Sequence, residues 1–221
     1  MTKNTYQFLD NPTLLQNTTR FWFVRHAIVN QKDREYLYGT MDVLLCPDHI
    51  KQQLHIYQHL ANRLPQSTSW FTTSLSRTQD TAKLIQNAGY GQCPIQIDDS
   101  FIEQHLGDWQ GKAHGVANQY YQYPPHPFWP FCAKEIPPNG ETMYDVTKRV
   151  GKRLEQLTQT HQGQDVIIIS HGGAIRAAIA HSLKIPVDSA LSLSIVNLSL
   201  TVLENNQNHW RGLTINEYPM F

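Results

Sequence analysis

The chain has 221 residues, enough for one large domain or two small ones. Its 18 Lys and Arg balance 18 Asp and Glu, so no bulk field favours nucleic acid or an anionic membrane, and any anion site must come from a local cluster of cations. The 40% apolar content supports a core, yet no apolar run approaches the length of a membrane span.

Residues 1–19 are polar, lack the apolar centre of a signal sequence, and read as an arm ahead of one domain over 20–221. In FWFVRHAIVN (21–30), four apolar residues run straight into Arg25 and His26. This reads as a buried strand over 20–25 ending on a cation and an imidazole. After a loop over 26–46, Pro47 opens a helix to about Arg63. WFTTS (70–74) reads as a second strand, and Ser76 as the cap of a helix from Arg77 to Ala88. Ile95–Ile97 is a short strand, and a turn-rich patch over Gly107–Gly111 leads into a weak helix to about Tyr123. YPPHPFWPFCAKEIPPNG is too rich in proline for helix or central strand, and marks an insertion at about 120–139. Asn139 reads as the cap of a helix over Gly140–His161, with Met143, Val146, Val150, Leu154 and Leu157 on one face. VIIIS (166–170) is the most apolar strand, and Gly172–Leu183 the next helix. Leu193–Leu203 and Trp210–Tyr218 flank ENNQN and read as a hairpin.

Strands alternate with helices, which predicts an α/β fold: a three-layer α-β-α sandwich with a mostly parallel sheet and a C-terminal antiparallel hairpin. Cys46, Cys93 and Cys132 are odd in number and widely spaced, which fits free thiols in a reducing cytoplasm. His55 and His59 stand four apart on a predicted helix, but no third zinc ligand accompanies them, so a solvated face is expected.

Ligands of open α/β sheets bind beyond the carboxyl ends of the strands. Three strand ends here carry related chemistry: Arg25-His26, Thr73-Ser74 with Arg77 just beyond, and Ser170-His171-Gly172-Gly173. If the strands are parallel, their tips converge. Two guanidinium forks and a glycine-rich helix start make a phosphate pocket. A neutral imidazole fixed in one tautomer attacks phosphorus, and a second histidine adds positive charge to the equatorial oxygens. Glu103, in FIEQHLGDWQG, is the candidate acid for the leaving oxygen, with Asp108 and Glu141 as rivals. To serve, it must hold a proton near neutral pH, through burial or the nearby phosphate. Arg176 is expected to pair with a carboxylate on its own helix. The aromatic loop over 121–131 reads either as packed irregular structure or as a substrate wall, with Trp129 or Tyr123 facing the leaving group.

RH at the end of the first strand, SLSRTQDTA, IEQHLGDWQG, PNGET and SHGGAIRA occur in this order with suitable gaps. Over about residues 20–205 the chain resembles the histidine phosphatase superfamily, with its phosphoglycerate mutase-like and α-ribazole phosphatase-like branches. The resemblance implies that His26 is the phosphorylated nucleophile, that Arg25, Arg77 and His171 bind the phosphoryl group, and that Glu103 is the proton donor. It implies no metal or other cofactor. Gly172 and Asn30 join the substrate contacts; the family asparagine usually stands six residues after the nucleophile, where this chain has Lys32. YGTMD (38–42) resembles the family's G-x-x-D loop, and Glu141 is expected to support the pocket wall. The family's RHG is here Arg25-His26-Ala27, whose methyl either is tolerated beside the phosphate or narrows the pocket.

The implied activity is a metal-independent phosphomonoesterase, a phosphoric monoester hydrolase of the histidine acid phosphatase type. Its partner is a small-molecule phosphate ester, such as α-ribazole phosphate or a sugar phosphate. The alternatives are phosphoglycerate mutase-type transfer and a non-catalytic phosphate-binding module. An exposed hairpin edge offers a surface through which a homodimer could form.

Overall fold

The computed structural model describes residue 14 and residues 16–66 and 68–219. Most of the expected arm lies outside the described residues; Thr18 and Thr19 already belong to the first strand. Strands β1 (Thr18–Arg25), β2 (Ser69–Thr72), β3 (Ile95–Ile97), β4 (Asp165–Ser170), β5 (Leu200–Asn206) and β6 (His209–Glu217) form one sheet in the order β3-β2-β4-β1-β5-β6. The β1–β4, β2–β4 and β2–β3 pairs are parallel, and β1–β5 and β5–β6 are antiparallel. The helices are α1 (Pro47–Gln52), α2 (Leu54–Arg63), α3 (Ser76–Ile85), α4 (His114–Ala117), α5 (Met143–Thr160), α6 (Gly172–Leu183) and α7 (Val187–Leu191). Among the described residues no helix is long and apolar enough to cross a membrane.

The unbroken apolar run of β4 follows from burial on both faces. Val166 and Ile168 join Val146, Val150 and Leu154 of α5 and Ile175 of α6. Ile167 and Ile169 join Ile56 and Leu60 of α2 and Ile85 of α3. Each such side chain contributes about 1.5–3 kcal/mol when fully buried. The sheet is thus a middle layer between two helical ones, as the alternating pattern predicts.

Several boundaries move, for local reasons. The helix expected from Pro47 to Arg63 breaks at Gln53 (φ −101°, ψ 17°) because α1 buries nothing, whereas α2 turns Ile56, Tyr57, Leu60 and Ala61 into the core. Ser76 is the first residue of α3 rather than its cap; its N–H and hydroxyl both donate to Asp42 Oδ1 at 2.8 Å. The regular turns stop at Ile85, and a wider turn over Gln86–Tyr90 ends the helix at Gly89, φ 130°. The helix expected to Tyr123 shrinks to the single turn α4 and a short 3-10 turn over Asn118–Tyr120. Thr142, not Asn139, caps α5: its hydroxyl accepts from the Asp145 N–H, and Asp145 accepts from the Thr142 N–H. This reciprocal cap is worth about 1 kcal/mol. Asn139 instead takes φ 60° in a turn, and its amide donates to Asp108. The strand expected from Leu193 begins only at Leu200.

Candidate active site

Parallel pairing puts the ends of β1, β2 and β4 on one edge of the sheet. Arg25 stands opposite Ser170, and the His26 N–H donates to the Ser170 carbonyl at 2.9 Å. His26 and His171 leave adjacent strands, and their rings lie 5.2 Å apart at 61°.

The local bonds of His26 fix its chemistry. Nδ1 lies 2.7 Å from the Ala27 carbonyl oxygen, which only accepts. The ring proton therefore resides on Nδ1, leaving the Nε2 lone pair free. Burial first, then the charges of Arg77 and Arg25, hold the pKa of His26 well below 6.5, so the ring is neutral at pH 7. His171 is depressed likewise, by burial and then by Arg77. Its Nε2 lies 3.1 Å from the Thr73 hydroxyl, and its Nδ1 is buried with no hydrogen-bond partner among the described residues.

Both arginines are held by backbone oxygens and not by carboxylates. Arg25 donates to the Ile195 carbonyl at 2.5 Å. Arg77, fully buried on the first turn of α3, donates to the carbonyls of Met41 and Gly39 at 2.7 Å each. Its guanidinium lies 5.3 Å from the centre of the Tyr38 ring. The YGTMD loop is therefore the clamp of Arg77. Gly39 (φ 40°) is needed there, since a Cβ would come within 2.8 Å of Gln110 Oε1 and 2.9 Å of the Gln104 carbonyl. Nε of Arg25 and Nε of Arg77 are also buried without partners among the described residues. Three unsatisfied nitrogens around two neutral imidazoles form a cationic cradle suited to a phosphate.

Glu103 sits at its lip. Its Oε2 accepts from the Gly173 N–H at 3.1 Å and its Oε1 from the Gln104 N–H at 3.0 Å. The carboxylate thus rests on the positive end of α6, where an anion is favoured. A side chain on Gly173 would collide with it. Arg149 braces this loop by donating to the Glu103 carbonyl and by pairing with Glu141 at 2.8 Å. Glu141 also accepts from the His105 N–H, so it supports the wall as expected. Asp108 is spent on Asn139.

A cavity of about 290 Å³ opens beside the cradle, lined by Arg25 and Glu103 and walled by aromatic and aliphatic side chains. His26, Arg77 and His171 are only 2%, 0% and 0% exposed, and none of them lines it, so the cradle is reached past Arg25 and Glu103.

The structure brings His26, His171, Arg25, Arg77, Glu103 and Gly172 together. Asn30 is not among the cavity's lining residues; its backbone holds the loop through Leu44, Asp33 and Arg34. Arg176 bonds the carbonyls of Leu193 and Gly172 and no carboxylate of its helix, and stacks 4.5 Å over Trp129. Trp129 lines the cavity and Tyr123 does not. Ala27 belongs to the core cluster of Val24 and Val29 under α2 and α3 and does not line the cavity, which favours the tolerated methyl over the narrowed pocket. Sequence reasoning placed Thr73 at a strand tip without giving it a role, and it missed Arg149, which seven residues into a long helix gave no signal.

The family model described as histidine phosphatase superfamily (branch 1) matches residues 21–218. Among curated proteins, the chain is 30% identical over 177 residues to a glucosyl-3-phosphoglycerate phosphatase of Mycolicibacterium vanbaalenii, covering 77% of this chain and 76% of that protein. It is 25% identical over 213 residues to a metal-independent phosphoserine phosphatase of Arabidopsis thaliana (93% and 84%), and 24% identical over 204 residues to an adenosylcobalamin/alpha-ribazole phosphatase of Escherichia coli (90% and 91%). A solved structure titled mycobacterial hydrolase 1 superposes with a TM-score of 0.78 at 25% identity, covering 91% of this chain and 100% of that one. With two histidines and two arginines converging on one sheet edge, and a family match spanning nearly the whole chain, the protein belongs to the histidine phosphatase superfamily, branch 1.

Proposed function

We propose that the protein is a metal-independent phosphomonoesterase that works through a phosphohistidine. The observation that carries this reading is the Nδ1 bond of His26 to the Ala27 carbonyl, which leaves Nε2 unprotonated among positive charges. Nε2 of His26 forms a bond to phosphorus as the ester P–O bond breaks. Arg25, Arg77 and His171 stabilise the charge on the equatorial oxygens. Glu103 accepts from the Gly173 N–H at the start of α6; the phosphoryl group takes that place, and the displaced side chain faces the leaving oxygen as its acid. Glu103 gives its proton to the leaving oxygen. It then takes one from the water that attacks phosphorus, the P–N bond breaks, and phosphate departs. The phosphatase names of the three relatives described above support hydrolysis, while a phosphoglycerate mutase of Cytophaga hutchinsonii, 29% identical over 123 residues, keeps transfer as the second reading.

Phosphate release from an aryl phosphate, measured with EDTA for wild type and His26→Ala, tests the proposal. Release that survives EDTA and vanishes in the variant is expected, and release that persists in the variant overturns it. The deep burial of His26 and His171 is the one feature that favours a mutase, since it shields the phosphohistidine from water. Isomerised phosphoglycerate with little free phosphate would mark that outcome.

A further inference from the structure

The bay beside the cradle is much larger than a phosphate needs. An apolar cavity of about 150 Å³ accepts a benzene ring, so 290 Å³ has room for a ring and more beyond it. Its aromatic and aliphatic walls are Tyr36, Leu37, Tyr38, Leu106, Trp129 and Phe131, with Gln104 and His114 as further polar lining. The deeper walls are anchored: Leu37, Leu106 and Phe131 are buried in a cluster of their own, and the Phe131 ring meets Trp109 and Tyr121 edge-on at 5.8 Å each. A three-carbon phospho-acid would leave most of this space unfilled. A sugar would set several hydroxyls against walls whose surface is mostly apolar, at a cost in free energy wherever one is left unpaired. A planar ring fits both the size and the surface.

The same bay carries one further strong cation. Arg34, on the 3-10 turn Gln31–Glu35, lines it and is exposed, and its guanidinium has no hydrogen-bond or ion-pair partner among the described residues. Arg25 and Arg77, by contrast, each occupy carbonyl oxygens, and Arg149 and Arg153 have carboxylates. A solvent-exposed guanidinium fork with no protein partner among the described residues, on the wall of an aromatic bay, matches an anion on the ring.

We propose that the alcohol half of the substrate is a planar ring bearing a second anionic group, a carboxylate or a phosphate, which Arg34 receives. The assignment rests on the phosphatase reading of the same site. It places this chain among enzymes for ring-bearing, doubly anionic phosphomonoesters, and not among those for phosphoserine or phosphoglycerate.

The test compares phenyl phosphate, its 3- and 4-carboxy derivatives, 1,4-phenylene bisphosphate, glucose 1-phosphate and O-phosphoserine. Binding is read by calorimetry on His26→Ala and on His26→Ala/Arg34→Gln, and kcat/KM on the proteins that retain His26. A ring ester carrying the second anion is expected to bind about five- to tenfold more tightly than phenyl phosphate, with Arg34→Gln erasing that ratio. The carboxylate and bisphosphate arms tell the two anions apart. No such ratio, or one that survives Arg34→Gln, overturns the assignment. Phosphoserine or glucose 1-phosphate binding as well as the aryl esters overturns the planar ring. A binding preference that appears as expected, with no phosphate released by any protein that retains His26, leaves this assignment standing and sinks the phosphatase reading alone.

Discussion

The cradle and the bay beside it are built on opposite principles. The cradle hangs from the ends of three parallel strands, and backbone atoms position its working groups: the Ala27 carbonyl for His26, the Gly39 and Met41 carbonyls for Arg77, the Ile195 carbonyl for Arg25. The bay is made of loop side chains leaning on one another, Phe131 on Trp109 and Tyr121, and Trp129 under Arg176. Its fixed point is Glu135, a fully buried carboxylate that accepts the N–H groups of Gln122 and Tyr123 at 3.0–3.1 Å. Strand ends fix charge to within a bond length, which phosphoryl transfer requires. Packed loops fix a shape, which selects a substrate and tolerates change.

The largest effect should come from the cradle. Arg77→Ala removes one preorganised donor and is expected to lower kcat/KM about 10²–10³-fold, with the fold preserved by circular dichroism. The same change moves the pH profile. Arg77 is a cause of the depressed pKa of His26, so its loss raises that pKa towards 6.5. In wild type the proposed nucleophile stays unprotonated as pH falls below 6.5, and activity is expected to persist there; in the variant the acid limb is expected to shift to higher pH. A near-normal rate with an unmoved acid limb would break the assignment. The depressed histidines also tie stability to pH. Below 6.5 the unfolded chain binds protons that the folded chain refuses, so stability present above 6.5 is lost as pH falls towards their folded values. Phe131→Ala, in the bay, should instead cost about 3–5 kcal/mol of stability by thermal melting. It should also raise KM for ring esters more than it lowers kcat. Equal loss on ring and small esters would show that the bay does not select.

This division decides what the sequence made legible. The cradle could be read because each of its groups follows a strand or opens a helix within three or four residues: Arg25-His26 after FWFV, Arg77 after WFTTSLS, His171 after VIIIS. Parallel pairing then did the convergence. Arg149 was hidden because it acts across the fold, from α5 onto the carbonyl of Glu103 and the carboxylate of Glu141. The cap of α5 was misplaced because Asn139 and Thr142 both have capping side chains. Only the docking of the 137–140 turn onto Gly107, with Asp108 donating to the Pro138 carbonyl, sends Asn139 to Asp108. The bay lay in a segment without periodicity, where composition announces aromatics but not their neighbours.

A smaller effect concerns Thr73. Burial and then Arg77 hold the pKa of His171 well below 6.5, so as a neutral ring it helps a phosphate oxygen only if Nδ1 carries the proton. The Thr73 hydroxyl at Nε2 can donate and so hold that tautomer. Thr73→Val is expected to weaken vanadate binding and lower kcat/KM about tenfold, at about 1–2 kcal/mol for a lost buried hydrogen bond. Thr73→Ser should restore both. Nitrogen chemical shifts of labelled His171 check the tautomer directly, and an unchanged Nδ1–H signal in Thr73→Val would dismiss the role.

The smallest effect separates cradle from core at a single methyl. Ala27 stands one residue after the proposed nucleophile. Its N–H donates to Thr81 at 2.9 Å and its carbonyl holds His26, so both backbone groups serve the site, but the methyl faces the α2/α3 cluster. Ala27→Gly removes one buried methyl and frees the unfolded backbone, which together should cost about 1–2 kcal/mol by denaturant unfolding. Turnover should stay within about twofold, because the backbone bonds survive, and each tenfold in rate would need about 1.4 kcal/mol of differential stabilisation that the methyl does not supply. A tenfold rise in kcat on introducing glycine would mean that the methyl does press on the phosphate, and that the cradle is less independent of the core than its backbone bonds imply.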